Sequence, residues 1–177
     1  MNYISTKIGK IFEKNFQESF SKDILVYRPP DAAQAFQIRD DSPLRFSSHS
    51  PCDFMIFNGY QLWTLELKTV SGSSISFETK PNEKKIIHLY QIESLKNFAK
   101  FKNVVSGLVI DFRSSNHTYF LNILEWDHLI NSITKKSFSE KDLLSFADPT
   151  LIEKEKLKVN YRYDVVKFMD DTKIELV

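Results

Sequence analysis

In the run Pro51-Cys52-Asp53-Phe54-Met55-Ile56-Phe57-Asn58-Gly59-Tyr60-Gln61-Leu62-Trp63-Thr64-Leu65-Glu66-Leu67-Lys68, aromatic and branched residues flank Asn58-Gly59 on both sides. Asn-Gly is the strongest short hairpin signal, because a type I′ turn needs positive φ at both central residues. The flanking runs read as strands. Asp53 therefore starts one strand, and Glu66 and Lys68 end its antiparallel partner. Side chains alternate across a strand, so Glu66 and Lys68 share one face while Trp63, Leu65 and Leu67 share the other. Two carboxylates and an ammonium then meet at one end of a sheet. Mg²⁺ takes one or two carboxylates and completes its octahedron with water and phosphate oxygens, and a lysine beside it can serve the attacking water and balance phosphate charge. The plain alternative for Glu66-Leu67-Lys68 is a solvated strand face with a same-side ion pair.

Composition bounds what surrounds this hairpin. A chain of 177 residues with 42% hydrophobic content suits one domain with a proper core. A net charge of +1 gives no global field for nucleic acid, so a DNA-binding surface has to be a local patch. The single cysteine, Cys52, excludes an internal disulfide and a cysteine-based zinc cluster, and reads as a small buried residue. No apolar run reaches signal-peptide or membrane-spanning length, so a cytoplasmic protein without a membrane partner is expected.

Ahead of the hairpin, Ile4, Ile8, Phe12, Phe16 and Phe20 recur every four residues, which predicts an amphipathic helix with Ser5 or Thr6 as N-cap. Glu13 stands at the border of its apolar stripe, where a flanking surface carboxylate is the plain reading. Ile24 to Tyr27 is a short strand. From Pro29 to Ser50 the chain is polar and irregular, and an excursion of that length is usually functional or mobile. With its border it carries Arg28, Arg39 and Arg45 among Phe36, Phe46 and His49. Such a mixture suits backbone contacts and stacking on unpaired bases, or else a surface loop whose Phe residues tuck back onto the core.

After the hairpin, Val70 to Lys85 reads as a polar linker in which Lys80, Lys84 and Lys85 either hold phosphates or are merely solvated. Ile87, Tyr90, Gln91, Leu95, Phe98 and Ala99 predict a second amphipathic helix. His88 and Gln91, three apart, fall on one face of it, which puts Gln91 near the metal water or scissile phosphate with His88 a nearby polar contact, or else leaves both as half-exposed helix residues. Val104 to Phe112 is nearly continuous in apolar character, as a strand buried on both faces would be. Thr118 to Leu124 predicts another strand, Asp127 to Ile133 a short helix, and Ser139 opens a further one. The tail reads as a strand-like run from Val159 through Val166.

The order helix, strand, excursion, strand, hairpin strand, linker, helix, strand, strand is that of an αβββαβ core. Asp, a short hairpin, then Glu-x-Lys resembles the PD-(D/E)xK nuclease superfamily, which implies an α/β fold with a mixed central sheet flanked by helices. Within it, the chain resembles the RecU family of Holliday junction resolvases, also known as penicillin-binding-protein-related factor A. The likeness is carried by Gly9-Lys10 with Phe12-Glu13, Ser50-Pro51-Cys52-Asp53, Glu66-Leu67-Lys68, Ser74-Ile75-Ser76-Phe77, His88-x-x-Gln91-Ile92 with Leu95-Lys96-Asn97, and Tyr119-Phe120-Leu121. It implies a Mg²⁺-dependent endonuclease, with Mn²⁺ as the alternative ion, that resolves four-way DNA junctions as a homodimer. Asp53 and Glu66 would ligate the metal, Glu13 would complete its environment, Lys68 would serve the attacking water and Gln91 would support the site. The excursion at about 29–50 corresponds to the family's stalk, and residues 126–177 form a C-terminal extension. The excursion is less basic than a full stalk and little precedes the first helix, which points to a shortened, phage-type or divergent member. Other DNA substrates (flap, single strand or duplex) and a non-catalytic DNA-binding accessory role are the rival expectations.

Overall fold

The computed structural model describes residues 2–30 and 50–174, with the backbone alone for residues 2–6. Most of the expected stalk, including Arg39 and Arg45 with Phe36, Phe46 and His49, lies outside the described residues. The four-residue apolar period produces α1 (Asn2–Glu18), which starts before Ser5 and Thr6, so neither of them is its cap. Phe12 and Phe16 are buried on it, and Ser19 Oγ closes its end by donating to Asn15 O. There follow β1 (Leu25–Tyr27), β2 (Phe54–Phe57), β3 (Leu62–Val70), the short β4 (Ser74–Ser76), α2 (Leu89–Phe98), β5 (Val104–Phe112) and β6 (His117–Asn122). After a 3-10 turn at Ile123–Glu125 come α3 (Trp126–Asn131), β7 (Ser137–Ser139), α4 (Glu140–Phe146), β8 (Thr150–Leu151), β9 (Lys154–Lys156), β10 (Tyr161–Tyr163) and α5 (Val165–Asp171).

Six strands make one mixed sheet in the order β1-β2-β3-β5-β6-β8. β3 runs antiparallel to β2 and parallel to β5, with Glu66 opposite Leu108 and Lys68 opposite Ile110. The parallel pair needs a crossover, and α2 supplies it. Alternation divides the sheet into two apolar faces. Trp63, Leu65, Leu67, Val105, Val109 and Phe120 pack under Phe12 and Phe16 of α1, together with Tyr163 and Phe168. Val70, Leu108, Ile110, Phe112 and Leu121 pack under Ile92 and Leu95 of α2, with Trp126, Phe138 and Leu143. Every residue of β5 from Val105 to Phe112 is buried, as its apolar run predicts. This is the expected α/β architecture, a mixed central sheet flanked by helices.

Three expectations are corrected. The hairpin does not close in a two-residue type I′ turn: Phe57 pairs with Leu62 across the four residues Asn58–Gln61. Asn58 Oδ1 accepts from the N–H groups of Tyr60 (3.0 Å) and Gln61 (2.9 Å), so the side chain organises the turn and only Gly59, at φ +95°, takes the left-handed conformation. The stretch from Val70 to Lys85 is not all linker, since β4 within it pairs with β7 of a distant segment. The tail strand stops at Tyr163. Asp164 then caps α5 by accepting from Lys167 N at 3.0 Å, and Val165 and Phe168 are buried from a helix rather than a strand. The helix opened by Ser139 forms as expected, through a capping box with Asp142.

Candidate active site

The residue just before β2 and the stretch from Glu66 to Lys68 of β3 build the site. Asp53 N–H donates to Leu65 O at 3.0 Å, and Asp53 Oδ2 accepts from Leu67 N–H at 2.7 Å, so the residue is clasped to the backbone of β3 through both its main chain and its carboxylate. On the α2 face of the same strand, Glu66 is 3% exposed, beneath the first turn of the helix. Lys68 Nζ lies 2.8 Å from Glu66 Oε1. Gln91 Nε2 donates to that same oxygen. The orientation of the Gln91 amide is fixed from its other end, where Oε1 accepts from His88 N–H at 2.9 Å and caps α2. One side chain thus starts the helix and holds the carboxylate, which explains why His88 sits at the cap and only Gln91 reaches the site. The hairpin, its alternation and the i to i+3 spacing were all readable in the sequence, and the structure brings Asp53, Glu66, Lys68 and Gln91 together.

Glu13 approaches from α1. Arg28, expected to meet DNA, forms an ion pair with it at 2.8 Å. Burial, with the charges of Asp53 and Glu13, pushes the Glu66 carboxyl up to about 7, against the pull of Lys68. Burial, with the same Glu66 and Asp53 charges, lifts the Cys52 thiol to about 12, so the thiol beside Asp53 stays protonated and packs against Phe54 O as a core group. Among the described residues, no group of three or more His, Cys, Asp or Glu side chains is gathered closely enough to hold a metal alone. The donor set still fits a hard cation. Two carboxylates of like charge sit together, one of them buried at an electrostatic cost that a divalent ion would relieve, and Mg²⁺ asks the protein for only one or two oxygens.

The cost of that burial is measurable. Unfolded, Glu66 ionises near 4.5; folded, it keeps its proton to about 7. Between those values the folded protein binds more protons than the unfolded chain, so the stability contributed below pH 4.5 is lost as pH rises through the window. Glu66→Gln resembles the protonated form at every pH and keeps an acceptor for Gln91 and Lys68. It is expected to unfold at the same temperature as the parent at pH 4.5, and to be more stable by about 3 kcal/mol at pH 8. Metal-free thermal denaturation at the two pH values checks this; equal midpoints at pH 8 would mean that Glu66 ionises normally.

Of the three lysines expected to hold phosphates, Lys80 and Lys84 are exposed and Lys85 is half-buried, all on the segment leading from β4 to α2. Glu83 shapes that segment, accepting from Thr79 N–H (2.8 Å), Lys80 N–H (3.3 Å) and Lys136 Nζ (2.6 Å). Glu78 Oε1 meets His88 Nδ1 at 2.8 Å and Glu78 Oε2 accepts from Leu89 N–H at 2.9 Å, holding its carboxyl below the usual range. Nothing in the spacing of Glu78 and His88 announces that pair. A second cluster also escaped the sequence reading. Asp111 Oδ1 accepts from Lys154 Nζ (2.6 Å) and Thr118 Oγ1 (2.8 Å), and Lys154 Nζ lies 4.9 Å from the Tyr161 ring centre. The lone aspartate in the apolar run of β5 was the signal for it, since a charge is buried only when paired.

No family model matches the chain. Over 137 residues it is 31% identical to YotM, an SPbeta prophage-derived uncharacterized protein of Bacillus subtilis (strain 168); the match takes in 76% of this chain and 63% of that protein. The chain therefore spans less than two thirds of the length of this curated relative. Among solved structures it is similar to Hjc, a Holliday junction resolvase of Archaeoglobus fulgidus, with a TM-score of 0.46 and 13% identity over 81% of this chain and 94% of that one. A likeness that loose transfers no function. No helix among the described residues is long and apolar enough to cross a membrane.

Proposed function

We propose that this chain is a metal-dependent DNA endonuclease of the RecU-like type, acting on four-way junctions. The observation that carries the reading is the buried Glu66 carboxylate, held by Gln91 and Lys68 next to Asp53 just past the point where β2 starts. A structural ion pair would not call for a second carboxylate there, nor for a helix cap spent on orienting the first. Asp53 and Glu66 would hold Mg²⁺ or Mn²⁺, with Glu13 in the surrounding charge. When bound, such an ion polarises a phosphodiester and generates a nucleophile from water at neutral pH. The chain's own part is positional and electrostatic. Gln91 keeps Glu66 from rotating, and Leu67 N–H does the same for Asp53. Lys68 Nζ supplies a proton donor and a positive charge beside the place where charge builds on phosphate.

Junctions are favoured over other DNA by the RecU-like motif set and by the mixed basic and aromatic composition of residues 28–50. Cutting two strands symmetrically asks for two active sites, hence a homodimer. The prophage origin of the relative agrees with a phage-type member. The test is a labelled mobile four-way junction and a matched linear duplex, each incubated with Mg²⁺ and with EDTA. Paired nicks on the junction in Mg²⁺, none in EDTA and little cutting of the duplex are expected. Cutting of duplex or single strands in preference would keep the chemistry and remove the junction; binding without cutting in Mg²⁺ would overturn the enzyme.

A further inference from the structure

On the His88 side of the α2 cap lies a cleft of about 630 Å³, walled by the start of α2 and by the segment that Glu83 shapes, within the range of about 300–1,000 Å³ usual for small-ligand sites. Its inner wall is a pair of rings. His88 and Tyr90 stack with centres 5.6 Å apart and planes 14° from parallel, and both are half-buried. Glu78 and Leu89 N–H hold the His88 end rigid. Tyr90 precedes Gln91, whose amide joins His88 N–H to the Glu66 carboxylate, so the stack flanks the site.

We infer that the His88–Tyr90 stack is a platform on which an unstacked nucleobase rests while its strand passes the carboxylates. The inference rests on the nuclease reading and names how that site would select DNA with unpaired bases. Three carboxylates, those of Glu78, Glu83 and Glu93, line the cleft. Together they repel a phosphate, and Glu93, exposed on the rim, accepts from the amino edge of a base. Lys84, on the same rim, is left to meet the backbone. A metal does not account for the acids, because Glu78 is taken up by His88 and the cap of α2, and Glu83 by Lys136 and the loop N–H groups. Base stacking on aromatic rings tolerates any sequence, as a structure-selective enzyme requires.

The test uses the full chain in EDTA, where no cleavage intervenes. Binding of a short single strand containing 2-aminopurine is followed by its fluorescence, against an abasic strand of equal length. The parent is expected to bind the base-bearing strand more tightly and to change its emission. Tyr90→Ala and Tyr90→Leu are expected to weaken that binding by roughly ten- to a hundred-fold, Tyr90→Phe to leave it unchanged, and all of them to bind the abasic strand as the parent does. Tyr90→Leu keeps bulk in the cleft should the smaller residue loosen α2. Equal binding by parent and both truncations would overturn the platform, as would a loss that persists on the abasic strand. Junction cutting by the parent in Mg²⁺ judges the nuclease reading separately.

Discussion

On the nuclease reading proposed above, Lys68→Ala is expected to slow DNA cleavage by about 10²–10⁴-fold while leaving affinity for the divalent cation, measured at a pH high enough to ionise Glu66, unchanged or higher. The magnitude is that of removing one charge-stabilising or proton-transferring group from a reaction site. The second half of the expectation discriminates between roles. Lys68 is a cation 2.8 Å from a carboxylate oxygen that would face the metal, so its charge opposes a bound ion. Were it only a brace for Glu66, deleting it would loosen the carboxylate and weaken metal binding together with cleavage. As a participant at the phosphate, its loss lowers the rate and removes a repulsion from the ion. Burial and like charge already raise Glu66, and without Lys68 the carboxyl holds its proton to higher pH. Part of the lost rate should therefore return as pH is raised, once the carboxyl ionises. Calorimetric titration with Mg²⁺ and a pH series of single-turnover cleavage measure the two halves. Undiminished cleavage would dismiss Lys68 from the chemistry; cleavage and metal affinity falling together would make it a brace.

Much of this site was legible because β-strand alternation is strict. Once Trp63, Leu65 and Leu67 are assigned to the core, Glu66 and Lys68 have nowhere to be but the opposite face. Gln91 was legible for a similar reason, through helical spacing and the resemblance of its surroundings to a RecU-like motif. What could not be read were features that depend on distant segments meeting. β4 is three residues whose partner strand is some sixty residues away, and no local pattern predicts that. The role of Asn58 as the organiser of a wider turn competes with its role in an Asn-Gly turn, and the two leave the same dipeptide in the sequence. At the tail, Val159, Tyr161, Tyr163 and Val165 alternate as a strand would, yet Asp164 caps a helix there. A capping side chain overrides alternation within one residue, and the apolar surface is buried either way. The His88–Tyr90 stack was hidden too, because His88 was expected within the helix, and its position at the cap is what aligns the two rings.

The scaffold that holds the site depends on Gly107 at the centre of β5, and Gly107→Ala is expected to cost about 3 kcal/mol or more of stability. Gly107 pairs with Leu65 on one side and Asn122 on the other. A Cβ there would stand 2.2 Å from Leu121 O and 2.6 Å from an edge carbon of the Phe120 ring. Neither neighbour can yield cheaply. Leu121 O belongs to the backbone of β6, and Phe120 is locked between the sheet and Phe168, with ring centres 5.3 Å apart. Relief has to come from parting β5 and β6 or from sliding β5 along β3. Sliding displaces Leu108 and Ile110, the neighbours of Glu66 and Lys68. The same substitution should thus lower the midpoint of thermal unfolding by roughly 6–12 °C for a domain of this size and reduce cleavage in the fraction that remains folded. Thermal unfolding with a parallel cleavage assay checks both. A variant that melts within about two degrees of the parent would mean that β5 and β6 are spaced wider than this packing has them. A large loss of stability with normal cleavage by the folded fraction would mean that the strain is absorbed on the β6 side, leaving β3 and its carboxylate in place.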